Sequence, residues 1–328
     1  MPHIVKYFKG GSLSGTFLIS KKNILTVRKQ VSLKNNREFG YQRWLTQMKK
    51  IQNYNSKIKN IFPDIIDTGV VNDKAYFDIK YYKNYINCFE YLNNKKKINT
   101  KKLLNKILNK SDKFYQNRLP TMKNNIQLYF EEEIKQRLSM FKKKQKTNFF
   151  VEPFLYFNGE KINHLEKNLN FLKKIFLDNS SLIQETYVHG NLTLENILYN
   201  KKKIIFIDPY EENYVDTIYN DYSQLLQSCN SNYELLNSSK FNIKKNRIDV
   251  KYKISDNMIE FNKLFKIFLI KNFDFNEIML IRAFEISQFI RMIPFKLIIS
   301  PKKAILFYAL SSKLINNLKY DFKNKIKF

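Results

Sequence analysis

Four polar residues in the second half of the chain have the types and spacing for phosphate chemistry. His189, Asn191, Asn196 and Asp208 lie in one stretch, in a loop beside apolar, strand-like pieces and at the end of a following strand. Such a loop can direct all four side chains to one point. The oxygens of Asn196 and Asp208 are hard donors suited to Mg²⁺. A magnesium ion that bridges phosphate oxygens is what phosphoryl transfer requires, because the transition state spreads charge over those oxygens.

A second candidate region is the segment GGSLSG, residues 10–15, in a chain that has only 7 glycines. A glycine-rich turn between two strands lets backbone N–H groups approach phosphates closely, although a plain hairpin turn explains the same residues. The candidate phosphate-contacting residues are Gly10, Gly11, Ser12, Ser14 and Gly15.

The N-terminal part of the chain predicts a small antiparallel sheet with one helix inserted. Alternating apolar and polar residues mark the strands, and helical spacing marks the helix. The strands are expected at residues 4–8, 16–19, 24–31, 65–71 and 75–81, and the helix at residues 36–51.

The remainder of the chain predicts helices, apart from short β-type pieces around the loop at residues 188–207. The helical patterns cover residues 100–146 with a break near Pro120, residues 161–177, and residues 255–328. Ser300 followed by Pro301 indicates a helix start inside the last range. Runs of strands followed by runs of helices favour an α+β fold in two lobes.

The segment HGNLTLENIL, followed by IFIDP, resembles the family of aminoglycoside phosphotransferases and choline kinases. In that family His-Gly-Asp is followed after four residues by Asn-Ile-Leu, and about a dozen residues later by Ile-Asp. The resemblance implies a bilobal, protein-kinase-like fold with an N-lobe in residues 1–81 and a helical C-lobe in residues 82–328. It also implies that Asn196 and Asp208 bind Mg²⁺ and that Asp221 supports the catalytic loop.

The resemblance extends to a phosphate-binding lysine in the N-lobe. The third strand resembles the kinase strand that ends in such a lysine, which indicates Lys29. Strand alternation places Arg28, the competing choice, on the opposite side. Such a lysine usually pairs with a helix carboxylate. Glu38 is the candidate partner, or else an ordinary first-turn acid favoured by the helix dipole.

Position 191 departs from the family pattern. The family's catalytic-base aspartate is replaced by Asn191, whose amide cannot accept a proton but can orient a substrate hydroxyl. Loss of general-base assistance costs roughly 10²–10⁴-fold in rate. Glu195 and Asp216 are nearby carboxylates that could substitute, and His189 is expected mainly to support the loop.

Two functions follow from the resemblance. The first is a phosphotransferase that uses ATP (or GTP) and Mg²⁺ to phosphorylate a hydroxyl of a sugar, an amino alcohol or a surface-polysaccharide precursor. The second is a nucleotide-binding pseudokinase with a regulatory or scaffold role. The expected partners are a nucleotide and a small-molecule acceptor.

Composition narrows the partners and the location. The chain has 58 Lys and Arg against 29 Asp and Glu, a net charge of +29, which fits a polyanion partner or a general compositional bias toward lysine. We expect no specific nucleic-acid binding, because no recognisable motif is present. Two distant cysteines, no signal peptide and no run of about 18 apolar residues predict a cytoplasmic protein without a transmembrane segment.

Overall fold

A computed structural model of the chain describes residues 3–8, 15–34, 37–94, 96–116, 118–144, 149, 151–211 and 213–328, without the side chains of residues 37–39 and 144. In these ranges the strands are β1 (His3–Phe8), β2 (Gly15–Lys21), β3 (Ile24–Ser32), β4 (Ile65–Val71), β5 (Lys74–Lys80), β6 (Ile86–Asn87), β7 (Leu119–Pro120), β8 (Phe154–Phe157), β9 (Glu160–Asn163), β10 (Gln184–Glu185), β11 (Ile197–Tyr199), β12 (Ile204–Phe206), β13 (Phe241–Lys244) and β14 (Arg247–Val250).

The helices of the described ranges lie on both sides of the middle of the chain, and three of the four longest are near its end. They are α1 (Arg37–Lys57), α2 (Cys88–Asn93), α3 (Thr100–Ser111), α4 (Lys123–Leu128), α5 (Arg137–Lys144), α6 (Leu169–Asp178), α7 (Ile218–Cys229), α8 (Tyr233–Ser238), α9 (Asp256–Asn272), α10 (Phe275–Ile299) and α11 (Pro301–Asn324). Together with the strands they confirm the predicted α+β class. In the described residues no helix is long and apolar enough to cross a membrane.

The N-terminal strands form an antiparallel sheet, as their alternating sequence predicts. The strand order is β1-β2-β3-β5-β4, and every neighbouring pair is antiparallel. Lys22 and Asn23, between β2 and β3, both have positive φ, as do Asn72 and Asp73 between β4 and β5. Positive φ at both central residues matches the right-handed twist of a hairpin, so these polar turns fix the register of the sheet.

Helix α1 packs on this sheet through the single tryptophan of the chain. The Trp44 ring lies 5.5 Å from the ring of Phe77 in β5, and both side chains are buried. Its indole Nε1 donates a hydrogen bond to the backbone carbonyl of Lys29 at 3.3 Å. The helix is therefore anchored directly behind the strand that carries the predicted phosphate-binding residue.

Contacts along the chain define two units. The first contains Met1–Tyr91, Lys106–Phe114 and His189–Asn213, and the second contains Leu92–Asn105, Tyr115–Val188 and Tyr214–Phe328. This grouping is not the division at residues 81 and 82, which stays a prediction. The segment from His189 groups with the first unit because β11 pairs with both β12 and β6.

The second unit is built around α10. This helix packs against α5, α6, α7 and α11, and all residues of α7 are buried. The predicted helix start at Ser300 and Pro301 is confirmed. The Ser300 hydroxyl accepts the Lys303 N–H at 3.4 Å, and Pro301 is the first residue of α11.

A small sheet in the second unit corrects the prediction that strands are confined to the N-terminal part and the 188–207 loop. Strands β13-β14-β8-β9 form a four-stranded sheet, so the helix predicted from residue 161 is wrong at its start. Each of these strands has four residues, too few for alternation to be apparent. The sequence does contain one signal for this sheet, the pair Asn158-Gly159 between β8 and β9. This pair favours a hairpin turn, and both residues have positive φ.

The predicted helix around residues 125–141 is interrupted rather than continuous. A π-helical segment, Tyr129–Gln136, lies between α4 and α5. Its buried residues include Glu133, which pairs with Arg291 of α10 at 2.7 Å. The wider helical turn is a feature that hydrophobic spacing alone does not reveal.

Candidate functional site

Lys29 and Asp208 form an ion pair within the first unit. Lys29 lies in β3, Asp208 follows β12, and the ammonium contacts carboxylate Oδ1. Gln47 of α1 bridges the pair. Its Oε1 accepts a hydrogen bond from Lys29 at 2.9 Å, and its Nε2 donates to Asp208 Oδ1 at 2.9 Å and to the Pro209 carbonyl at 2.7 Å. Three distant parts of the sequence therefore meet at one carboxylate.

The neighbouring cation, Arg28, has a different role. Its guanidinium makes two hydrogen bonds to the Asp78 carboxylate, at 2.7 and 2.8 Å, and lies 3.6 Å from the centre of the Tyr76 ring. Both charged side chains of this pair are buried. Because side chains alternate along β3, Arg28 points to the buried side and contacts Asp78, while Lys29 points to the other side and contacts Asp208. This difference favours Lys29 over Arg28 as the site residue.

His189 connects the loop to the end of β12 and is uncharged. Its Nε2 donates to the Ile207 carbonyl at 3.0 Å, and its Nδ1 accepts the Asn191 N–H at 3.1 Å. The ring is fully buried. Burial, and after it the positive charge of Lys50, lowers the pKa of His189 to about 3. Both ring nitrogens are therefore engaged within the protein, one as a donor and one as an acceptor.

The two asparagines continue the same network. Asn196 Nδ2 donates to the Asn191 carbonyl at 2.8 Å, and Asn191 Nδ2 donates to the Asp208 carbonyl at 3.3 Å. A carbonyl accepts only, so it is the nitrogen of each amide that faces these partners. The oxygens, Oδ1 of Asn191 and Oδ1 of Asn196, are therefore the atoms left to meet a ligand.

The backbone at Asp208 has a left-handed conformation. Its φ is 57°, and the next residue is Pro209. A non-glycine residue in this region is uncommon, and a following proline restricts the backbone further. Backbone strain of this kind persists only where surrounding contacts impose it, and it is concentrated at functional sites. Here the contacts come from Lys29 and Gln47.

The residues present fit a divalent cation. The Asp208 side chain is 38% exposed, and among the described residues only Oδ1 accepts hydrogen bonds, so Oδ2 is available as a ligand. Burial alone would raise the pKa of Asp208, but the charge and hydrogen bond of Lys29 hold the pKa below its usual range. No group of three His, Cys, Asp or Glu that could hold a metal occurs in the described ranges, so a cation here would need the amide oxygen of Asn196 as well.

Sequence reasoning missed several residues of this region. Gln47 and Lys50 of α1 carry no motif, yet Lys50 Nζ donates to the Tyr210 carbonyl at 2.8 Å. Arg43 of the same helix forms an ion pair with the side-chain carboxylate of Glu211. Gly190 has a φ of 75°, and a Cβ at this position would lie 2.8 Å from Asn213 Nδ2. The glycine was visible in the sequence as the second residue of the His-Gly pair.

The other predicted residues do not contact Lys29 or Asp208 in any hydrogen bond among the described residues. Gly10, Gly11, Ser12 and Ser14 are outside the described residues, as is the side chain of Glu38, while Gly15 begins β2 opposite Gln30. Glu195 is exposed, and Asp216 belongs to the second unit. Asp221 also belongs to that unit, where its buried carboxylate accepts a hydrogen bond from Tyr115 at 3.1 Å. Its role as a support for the catalytic loop stays a prediction.

No protein-family model matches the chain, and no curated protein matches it in a sequence search.

Proposed function

We propose that the chain is a kinase-like phosphotransferase that uses ATP or GTP to phosphorylate a hydroxyl of a small molecule, such as a sugar, an amino alcohol or a surface-polysaccharide precursor. The observation that carries this proposal is the contact of Lys29 and Gln47 with Asp208, beside Asn191 and Asn196. A cation, a single carboxylate and two amide oxygens in one small volume are suited to a nucleotide polyphosphate and its metal ion.

Each residue has a proposed role. Lys29 positions the nucleotide phosphates, with the glycine-rich segment of residues 10–15 over them. Asp208 and Asn196 hold Mg²⁺, which neutralises negative charge on the phosphates when it is bound. Asn191 accepts a hydrogen bond from the acceptor hydroxyl through Oδ1 and so orients it.

The absence of a carboxylate at position 191 makes slow transfer the expected behaviour. His189 is neutral and engaged at both nitrogens, so it does not replace the missing base. Positioning and electrostatic stabilisation supply most of the acceleration in phosphoryl transfer, so activity is reduced rather than abolished.

Turnover of ATP and GTP with a panel of amino alcohols and sugars tests this proposal. Asn191→Asp is expected to raise the transfer rate, and Asn191→Ala to lower it. The aspartate loses the donor that now faces the Asp208 carbonyl, so stability of the variant is measured in parallel. No turnover with any acceptor for the wild type, together with no gain for Asn191→Asp, contradicts the proposed transfer activity.

A second candidate is a pseudokinase that binds nucleotide without transfer, and Asn191 is the observation that favours it. This candidate keeps the roles of Lys29 and Asp208 but gives no product. Saturating Mg·ATP would raise the melting temperature by linkage, without turnover. An assay for the phosphorylated product therefore distinguishes the two candidates, because both of them bind nucleotide.

A cytoplasmic location is part of the proposal. Cys88 and Cys229 are buried free thiols. Unpaired thiols are usual in reducing compartments such as the cytosol.

A further inference from the structure

The second unit contains a cavity, separate from the residues proposed to bind nucleotide, that is lined by charges of both signs. The cavity has a volume of about 250 Å³, and α9, α10 and α11 contribute most of its lining. The residues that matter for its chemistry are Lys266 of α9, Arg282 and Glu285 of α10, Asp321 of α11, and Phe328. This volume is below that of a typical drug-sized pocket, so it suits only a small ligand.

The two acids of the cavity are already engaged by neighbouring donors. Asp321 Oδ2 accepts a hydrogen bond from the Arg282 guanidinium at 2.6 Å. Glu285 Oε1 accepts hydrogen bonds from the Ser231 hydroxyl at 2.6 Å and from Asn230 Nδ2 at 3.1 Å. Neither acid therefore calls for a cation from outside.

Lys266 differs from the two acids in its contacts. Its half-buried ammonium lies 5.0 Å from the centre of the Phe328 ring, and it makes no hydrogen bond or ion pair with the described residues. Burial lowers its pKa, although the carboxylate of Glu285 acts in the other direction. The cavity thus holds three unused N–H donors on one ammonium, and a ligand that fits it must bring acceptors.

We propose that this cavity binds a small oxyanion, a carboxylate or phosphate group on a short apolar body, through the ammonium of Lys266. The oxyanion supplies the hydrogen-bond acceptors that the Lys266 ammonium lacks among the described residues. The apolar body packs against Phe328 and the aliphatic residues of the lining, Ile286 and Leu318. A carboxylate is favoured over a dianionic phosphate, because it brings less negative charge next to Glu285 and Asp321.

Protection of Lys266 from amine modification tests the site in the full chain. Propionate and inorganic phosphate are the two probes, with sodium chloride at equal ionic strength as the control. Acetylation of each lysine is followed by mass spectrometry. Lys263, an exposed lysine on the same helix, is the internal reference. At about ten times Kd of the probe, labelling of Lys266 is expected to slow about tenfold while Lys263 is unchanged.

Two variants complete the test. Calorimetric binding of the protecting probe should be lost in Lys266→Met, retained in Lys266→Arg, and unaffected in Lys263→Met. Protection by propionate alone identifies a carboxylate, and protection by phosphate alone identifies a phosphate group. Equal labelling of Lys266 with and without both probes overturns the proposal, as does unchanged binding in Lys266→Met. An Asp208→Gly variant should bind the probe normally, so failure here is distinguishable from failure of the proposed phosphotransferase site.

Discussion

The side-chain amide of Gln47 donates a hydrogen bond to the carboxylate of Asp208 at 2.9 Å, although the two residues are 161 positions apart in the sequence. The same amide oxygen accepts from Lys29, so a neutral residue connects the cation and the anion of the site. The family resemblance implies a helix carboxylate as the partner of Lys29, and Glu38 is either that partner or an ordinary first-turn acid; its side chain lies outside the described residues. An amide differs from a carboxylate in that it can serve Lys29 as an acceptor and Asp208 as a donor at once.

Removal of the Gln47 amide should weaken both the fold and nucleotide binding. In Gln47→Leu, the partly buried groups of Lys29, Asp208 and Pro209 lose a partner, at a cost of roughly 1–3 kcal/mol in the free energy of unfolding. Nucleotide affinity, measured by calorimetry, should fall because Lys29 and Asp208 each lose the hydrogen bond with Gln47 that orients them, although their direct ion pair remains. Gln52→Leu, an exposed position on the same helix, is the control and should change neither quantity. Equal behaviour of the two variants would show that Gln47 has no positioning role.

The left-handed backbone of Asp208 predicts a difference between two variants that both lack the carboxylate. Glycine adopts φ of 57° at no steric cost, whereas alanine carries a penalty of roughly 1–2 kcal/mol in that region. Asp208→Gly should therefore be more stable than Asp208→Ala by about 1 kcal/mol. Denaturant unfolding followed by the fluorescence of Trp44 reports on the first unit. A more stable alanine variant would contradict the assigned conformation.

Adjacent residues of β3 should separate stability from binding. Arg28→Met leaves the buried Asp78 carboxylate unpaired and should destabilise the chain by roughly 3–5 kcal/mol. Lys29→Met should cost much less in unfolding free energy, because Asp208 is partly exposed, and should instead weaken nucleotide binding by at least about tenfold. The same unfolding and calorimetric measurements serve both variants. Loss of nucleotide binding only in Arg28→Met would contradict the assignment of Lys29 as the residue of β3 that contacts the nucleotide.

The sequence predicted the N-terminal sheet, and the sides of β3 that Arg28 and Lys29 occupy, better than it predicted the second unit. Alternation along β3 placed Lys29 and Arg28 on opposite sides, and the contacts agree. Gln47 was not predictable, because a glutamine in an amphipathic helix has no distinguishing pattern and its role depends on where Asp208 folds back. The sheet of β8, β9, β13 and β14 was missed because each strand is short and its pairing is non-local.

His189 should make the stability of the chain depend on pH. The folded state keeps the pKa of this imidazole near 3, whereas the unfolded chain binds the proton below its ordinary pKa of about 6.5. The unfolded state therefore binds more protons between these two pKa values. The burial of neutral His189 lowers the free energy of unfolding little above about pH 6.5, and lowers it progressively as the pH falls below that value. From pH 7 to pH 5 the loss attributable to His189 should be about 2 kcal/mol.

Comparison of the wild type with His189→Asn isolates this contribution. Asparagine does not titrate, and the carboxylates common to both proteins contribute equally. Denaturant unfolding at pH 7 and pH 5 gives the two differences. The wild type should lose more stability than the variant on acidification, and an identical pH dependence would show that the imidazole is not buried in its neutral form.

Calorimetric titration of Mg·ATP into the wild type and into Lys29→Met tests the central claim most directly. The account predicts saturable binding to the wild type and at least about a tenfold loss of affinity in the variant, since one charge-assisted contact contributes about 1.5–3 kcal/mol. A wild type that binds neither Mg·ATP nor Mg·GTP, or a variant that binds as tightly as the wild type, would contradict it.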